Sequence, residues 1–344
     1  YNDYKNLFYF LKKKIFFLIE YGLFKFLDKN VLRSINFLSL INLNKIIKDD
    51  HSIVNIHWFH SGFISLRQIE KIKNPLVITL HDSWIINKTS HYNTKFNFYK
   101  LNFIQSFLIK ILNNWTLNRK RKLNNISCFI SPSEWIKSLI VNDTHFSKFR
   151  VEVIPNPLNT NVFKPVENKV SNFHILIYFD KKINFLKGGD LVFKFINLIN
   201  KDNHLEKKIT FNIVGNSLSN KINIPNVINH GFINSESELV KIYQSSTICL
   251  SFSRSENLPQ FLTQAASCGL PLIGFNIDGI PEVIKNNYNG ILIKSGKPKL
   301  LANQFTKTMP RRFLFNNFKV LKKKFNEEKM FKKTMEVYNQ KCVD

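Results

Sequence analysis

What most limits the fold of this chain is a string of short β-rich runs separated by stretches of helical period. Four such runs lie at 53–56, 76–80, 126–130 and 151–154, and six more at 174–179, 209–214, 227–229, 248–252, 272–275 and 291–293. Nearly all are continuously apolar rather than alternating, so both faces must be covered, as they are for parallel strands under helices. The expected fold is α/β and doubly wound. Between the two sets, Pro155, Pro157 and Pro165 stand among Asn156, Asn159 and Asn161, which forbids a regular element and marks a linker. At 344 residues the chain has room for two cores. The expected division is 1–160, 161–325, and a C-terminal helix at 326–344 that packs back toward the first domain.

Composition narrows the class. Apolar residues make up 44% of the chain, too many for a large disordered tract. No apolar run reaches the roughly 18 residues that cross a bilayer. The start, Tyr1-Asn2-Asp3, has neither an initiator Met nor a cleavage site after an apolar region, so no signal peptide is read and a missing N-terminal piece is expected. Cys128, Cys249, Cys268 and Cys342 form no C-x-x-C pair and read as core thiols in a reducing cytoplasm. The net charge of +26 admits nucleic acid, an anionic membrane surface, or merely a Lys-rich proteome. Only eight of the 50 basic residues are Arg, as A- and T-rich codons would produce. A basic face on anionic lipid is the functional rival to that reading. Nucleic acid comes last, because no binding motif accompanies the charge. Residues 5–27 place Phe8, Leu11, Ile15, Leu18 and Phe26 near helical spacing around Lys12, Lys13 and Lys14, an amphipathic helix for the N-domain core or for a membrane.

Three segments carry chemistry. Ser253 to Pro271 directly follows a buried run, so Glu256 leaves the sheet at the carboxyl end of a strand, where open α/β sheets bind ligands. Pro259 suits the first turn of the following helix, Gly269 its C-terminal cap, and Pro271 its end. Phe261, Ala265 and Cys268 are then expected to face the sheet, with Gln260, Gln264 and Ser267 as a polar stripe beside the crevice. Lys187, Gly188 and Gly189 lie between a strand and a helix starting near Asp190. Close backbone approach, free helix N–H groups and a mobile cation there suit a diphosphate, with Lys182 as a second cation. His81 and Asp82 follow another strand, ahead of His91 and Tyr92. His81 could meet a sugar hydroxyl, or Asp82 could simply cap a helix. His57 and His60 follow the same logic more weakly. Neither an H-E-x-x-H arrangement nor a G-x-S-x-G elbow occurs, which favours a reaction without metal or cofactor.

Taken together these motifs resemble the retaining GT-B glycosyltransferases of glycosyltransferase family 4, the group 1 glycosyl transferases, of the bacterial polysaccharide type. The similarity runs from Ile53–Trp58 through Thr79–Trp84 with His91 and Tyr92, Ser131–Trp135 and Val153–Pro157, to Glu256–Pro259, Cys268-Gly269 and Gly279–Pro281. It implies two Rossmann-like domains facing each other across a cleft, the first an acceptor domain and the second a nucleotide-sugar domain. It implies that Glu256, with Asn257, Leu258 and Pro259, meets the donor sugar. Lys187 with Gly188 and Gly189 holds the diphosphate, and His81, with His57 and Asp82 on the acceptor side, reaches toward the transferred sugar. The family usually has Glu at position 264, where Gln keeps an acceptor for the ribose but loses a charge-assisted bond. The glycine-rich loop of the first βα unit is absent, so the N-terminal domain is expected to be incomplete. The activity implied is transfer from a nucleotide-diphosphate sugar to a glycan or lipid-linked acceptor with retention of configuration, in the cytoplasm or on the inner face of its membrane. Open alternatives are a sugar-nucleotide epimerase of the same architecture, a non-catalytic relative that binds nucleotide sugar or glycan, and, from charge alone, a nucleic-acid binder.

Overall fold

A computed structural model describes residues 22–23, 27, 31–39, 41–47, 52–60, 63–92, 102–166, 173–180, 185–202, 208–215, 224, 226–294, 298–308 and 324–340. In chain order the described elements are β1 (Val54–His57), α1 (Leu66–Glu70), β2 (Leu76–Thr79), α2 (Phe103–Lys120), β3 (Ile126–Ser131), α3 (Glu134–Val141) and β4 (Arg150–Val153). They continue with β5 (Phe173–Tyr178), α4 (Gly189–Asn200), β6 (Ile209–Val214), β7 (Val227–Gly231), α5 (Glu236–Gln244), β8 (Ile248–Leu250) and α6 (Gln260–Ser267). The last are β9 (Leu272–Phe275), α7 (Ile280–Val283), β10 (Gly290–Ile293), α8 (Pro298–Thr308) and α9 (Glu327–Asn339). Every apolar run named above is a strand, within one or two residues of its expected ends, and every strand pairing is parallel. The linker region from Ile154 to Val166 carries no helix or strand.

The chain forms two compact units, one of residues 1–154 with 333–344 and one of residues 155–332. In the first, the strands stand in the order β1-β2-β3-β4; in the second, β10-β9-β8-β5-β6-β7. The second order starts in the middle. The chain lays down β5, adds β6 and β7 on one side, then returns to add β8, β9 and β10 on the other, so β5 and β8 are neighbours at the point where the winding reverses. Side chains at Ile175, Ile177, Phe211, Ile213, Leu250 and Phe275 pack with Phe195 and Ile196 of α4 and Phe305 of α8. Each such side chain contributes about 1.5–3 kcal/mol through burial.

Local chemistry sets the helix starts. Ser65, Ser133 and Ser235 accept from the third backbone N–H of α1, α3 and α5. Asn102 and Gln105 close a reciprocal capping box on α2. Gly269, at φ +85°, ends α6 in the left-handed region. Pro259 lies at the N-cap of α6 rather than in its first turn. Cys128, Cys249 and Cys268 are buried thiols, with Cys268 pushed by burial up to about 12. Cys342 lies outside the described residues, as does nearly all of the helix expected at 5–27, of which Leu23 and Leu27 pack with Ile35 against α2. Among the described residues no helix is long and apolar enough to cross a membrane.

One buried charge organises the first unit. Lys120, at the end of α2, is fully buried. Its ammonium donates to the carbonyls of Trp84, Asn87 at 2.8 Å and Lys88 at 2.7 Å, and lies 3.4 Å from the centre of the Trp84 ring. Burial holds its pKa well below the ordinary lysine value, against the opposing pull of Asp82. Replacing it with Met should leave those carbonyls unsatisfied and cost about 3 kcal/mol. The measurement is a fall in the thermal midpoint of this unit, and a midpoint within error of the parent would remove Lys120 from its anchoring role.

Candidate active site

The neighbouring ends of β5 and β8 hold the strongest sequence candidates. After β5 the chain turns through Phe185, Leu186 and Lys187 into Gly188, which caps α4 at φ +69°. A Cβ at Gly188 would lie 2.0 Å from the carbonyl oxygen of Phe252, in the segment leaving β8, so only glycine permits this approach. Arg254 then ties the two loops together. Its backbone N–H donates to Leu186 O at 2.8 Å and its guanidinium to Phe185 O at 2.6 Å. Two further guanidinium bonds of 2.7 Å grip the Asp190 carboxylate as a fork. Burial raises the Asp190 pKa, and the Arg254 bonds and charge more than reverse it, leaving the carboxyl below its usual value.

This frame brings Lys187 and Glu256 together. Lys187 Nζ stands 2.5 Å from Glu256 Oε1, and Ser253 Oγ donates to the same oxygen at 2.8 Å. Their side chains are 18% and 12% exposed, enough to leave the pair accessible from one side. The Glu256 carbonyl accepts from Gly279 N at 2.9 Å. A Cβ on Gly279 would fall 1.4 Å from Asn257 O, so the turn before α7 can pass only as glycine. Asn257, Leu258, Pro259 and Gly189 are buried, so among this stretch Glu256 alone presents its side-chain terminus at the strand end. Tyr178 lies beneath, its ring centre 5.8 Å from Lys187 Nζ and its hydroxyl donating to Asp180 at 3.3 Å. Burial and then Asp180 push that phenol up to about 12. Lys182 lies outside the described residues.

One side chain of α6 departs from the expected stripe. Ser267 is buried and donates to Phe163 O at 2.5 Å, because the chain around Phe163 covers that side of the helix. Phe261 is half-buried, with Tyr178 and Tyr243 each 5.6 Å away between ring centres. Gln260 is exposed as expected. Gln264 Oε1 accepts from the buried Tyr243 hydroxyl at 2.9 Å, a partner with no local signal in the sequence. Arg254 had a partial one: an arginine in a chain that otherwise spends Lys suits a fork on a carboxylate, though nothing local points to Asp190, 64 positions away.

In the first unit, β1 and β2 end side by side. His57 Nδ1 and His81 Nε2 are 3.2 Å apart, one donating to the other. Burial, reinforced for His57 by the facing ring and opposed for His81 by Asp82, keeps both pKa values below 6.5. At neutral pH each ring therefore offers one N–H and one acceptor nitrogen. Trp58, exposed and held at φ +39°, stands beside them. Asp82 is not at the surface with these rings. It is buried, takes the Trp84 N–H at 2.8 Å, and binds His91 Nδ1 at 2.6 Å, while His91 Nε2 meets Ser34 Oγ at 2.8 Å. Asp82 thus serves the loop cap and the His91 ring behind His81. His60, Asp82 and His91 have ligand atoms within 4.8 Å of one another, a spacing that could hold a metal ion. Both His91 nitrogens are already committed, to Asp82 and Ser34, and the Lys120 ammonium acts on His60 and Asp82 from nearby, so a cation would have to break the Asp82–His91–Ser34 hydrogen bonds, whereas His60 Nδ1 is buried without a hydrogen-bond partner among the described residues.

Two family models match adjacent parts of the chain: "Glycosyltransferase Family 4" over residues 17–162 and "Glycosyl transferases group 1" over residues 163–321. An uncharacterized 41.2 kDa protein in the cps region of Klebsiella pneumoniae is 24% identical over 277 residues, covering 76% of this chain and 70% of the relative. An uncharacterized glycosyltransferase of Methanocaldococcus jannaschii is 23% identical over 310 residues, covering 87% and 78%. Among solved structures, sucrose-phosphate synthase from Thermosynechococcus elongatus superposes with TM-score 0.63 at 16% identity over 84% of this chain and 73% of that one. HepE of Anabaena in complex with UDP gives 0.63 at 14% identity over 87% and 82%. The parallel sheets, the reversal between β5 and β8 and these matches agree, and the chain belongs to the GT-B glycosyltransferases of family 4.

Proposed function

We propose that this chain transfers a sugar from a nucleoside-diphosphate sugar to a glycan or lipid-linked acceptor with retention of anomeric configuration, in polysaccharide biosynthesis. The single observation that carries the proposal is the Lys187–Glu256 pair of 2.5 Å beside the glycine-capped start of α4. Phosphate oxygens fit against a helix N-terminus and an ammonium, and a carboxylate 2.5 Å from that ammonium can meet the hydroxyls of the attached sugar. Structures of HepE with UDP-glucose and of the pneumococcal O-GlcNAc transferase GtfA with UDP and GlcNAc share this fold and support a UDP-type donor.

In the reaction we infer, the bond from the anomeric carbon to the diphosphate oxygen breaks with its electron pair going to the diphosphate. Lys187, the α4 N–H groups and Lys182 stabilise the charge that builds there. The acceptor hydroxyl attacks the same face, giving its proton to the departing diphosphate. His81 and His57, neutral at pH 7, serve as hydrogen-bond partners for sugar and acceptor hydroxyls. No metal takes part in this scheme. The chain is placed in the cytoplasm, held peripherally on the inner membrane face where lipid-linked acceptors are presented. A second reading, binding without turnover, is favoured by Gln264, whose side-chain oxygen is already engaged by Tyr243. Incubation with donor alone tests a third: an altered sugar nucleotide without acceptor identifies an epimerase.

Lys187→Ala should lower transfer from the preferred sugar nucleotide by roughly 100-fold, about 2.7 kcal/mol. The substrate is chosen by a thermal-shift panel of UDP-, GDP-, ADP- and dTDP-sugars, and steady-state rates within twofold of the parent would overturn the assignment. Arg254→Gln removes the fork on Asp190 and should raise the apparent donor KM about tenfold while changing kcat less, since it positions the loop rather than touching the reacting atoms; a pure kcat defect would contradict that role. Gln264→Glu should tighten nucleotide binding about fivefold, near 1 kcal/mol, by exchanging a neutral hydrogen bond for a charge-assisted one. Calorimetry that shows no gain would turn residue 264 away from the nucleotide.

A further inference from the structure

We propose that the outward face of α2 docks on an anionic lipid bilayer. One side of this helix is accounted for: Leu108, Ile109, Leu112 and Trp115 pack with Leu23, Leu27 and Ile35. The other side is apolar as well. Phe103, Ile104, Phe107 and Ile111 are 85%, 61%, 55% and 48% exposed. At 3.6 residues per turn they form one stripe together with Lys110, and the Phe103 and Phe107 rings stack at 6.5 Å. The Asn102–Gln105 capping box fixes the helix start, so these rings are presented on a regular element. Phe37, half exposed, leans on Trp115 at 5.2 Å and carries the apolar surface off the helix, with the Arg67 guanidinium 5.6 Å from its ring. Contiguous exposed aromatic surface of this kind marks an interaction site.

Charge selects the occupant. Between Asp82 and Glu134 the sequence contains no Asp or Glu, while Lys and Arg recur throughout. Arg119 is paired with Glu70 and Lys120 is buried. Lys88, Lys110, Arg121 and Lys122 are exposed. An apolar stripe edged by cations matches the boundary between acyl chains and phosphate headgroups, where Phe and Ile sides sink in and Lys stems reach back to the phosphates. A second copy of the chain would bring the same cations to the same edge, and its own net charge of +26 would oppose the approach. The inference rests on the peripheral placement proposed above and gives it a surface; it does not depend on which sugar is transferred.

The test is co-sedimentation of the full chain with vesicles of phosphatidylcholine alone and of phosphatidylcholine with one quarter phosphatidylglycerol. Binding to the mixed vesicles, weakened by salt, is expected, with little to the neutral ones. The combined variant Phe103→Ser, Phe107→Ser, Ile111→Ser should reduce that binding by about tenfold or more, and Lys110→Glu by a smaller factor. UDP-induced thermal stabilisation, measured on the same samples, should be unchanged, which shows an intact fold and separates this proposal from the donor reading. Equal binding to both vesicles, no binding by the parent, or undiminished binding by the triple variant would overturn it. So would a change in sedimentation mass of the free protein on removing the Phe side chains, which would assign the face to self-association.

Discussion

The carboxyl end of the second sheet depends on a place where no side chain fits. The backbone of Gly188 passes so close to the Phe252 carbonyl that the loop after β5 rests directly on the segment leaving β8. From that contact follow the α4 cap, the reach of Arg254 to Phe185 and Asp190, and the position from which Lys187 meets Glu256. The reversal of strand order makes it possible. In a sheet wound one way only, the loops after successive strands would close over one another, whereas at the reversal they part and leave a crevice. Gly279 plays the matching role behind Glu256, so the backbone that carries this residue is fixed by a close approach, while the Lys187 and Ser253 side chains hold its carboxylate.

The first unit solves a different problem. Its loop after β2 must turn within the protein while carrying several backbone carbonyls inward, and Lys120 answers them from the end of α2. Asp82, His91 and Ser34 continue the polar interior, and Asp82 acts electrostatically on the neighbouring His81, which pairs with His57. Burial lowers the proton affinity of those rings, which suits neutral hydrogen bonding better than charge pairing.

How much of this was legible in the sequence follows from what each feature needs. The strands were visible because a parallel strand covered on both faces is apolar along its whole length, a purely local property. Glu256 and Lys187 were visible because each follows such a strand and each belongs to a short local motif. Their partners were not. Asp190 meets a residue 64 positions on, Tyr243 one 21 positions on, and Lys120 carbonyls 32 to 36 positions back, separations that no helical or strand period records. Ser267 shows the same limit from the other side. Helical periodicity gives it a face on α6 but does not reveal that the chain at Phe163 lies over that face. The strand order, and with it the reversal, is likewise a property of long-range pairing.

The C-terminal helix changes what counts as a domain here. α9 starts among the residues of one unit and finishes in the other, with the division at Lys332 and Lys333, and Asn55 of β1 donates to the Tyr338 hydroxyl at 2.6 Å. Residues 155–332 are one uninterrupted stretch of gene, whereas the first unit is stitched from two separated pieces. Ribosomal synthesis therefore delivers everything the second unit requires before the first unit has received its final helical turns, so the earlier-made half is the later one to be completed.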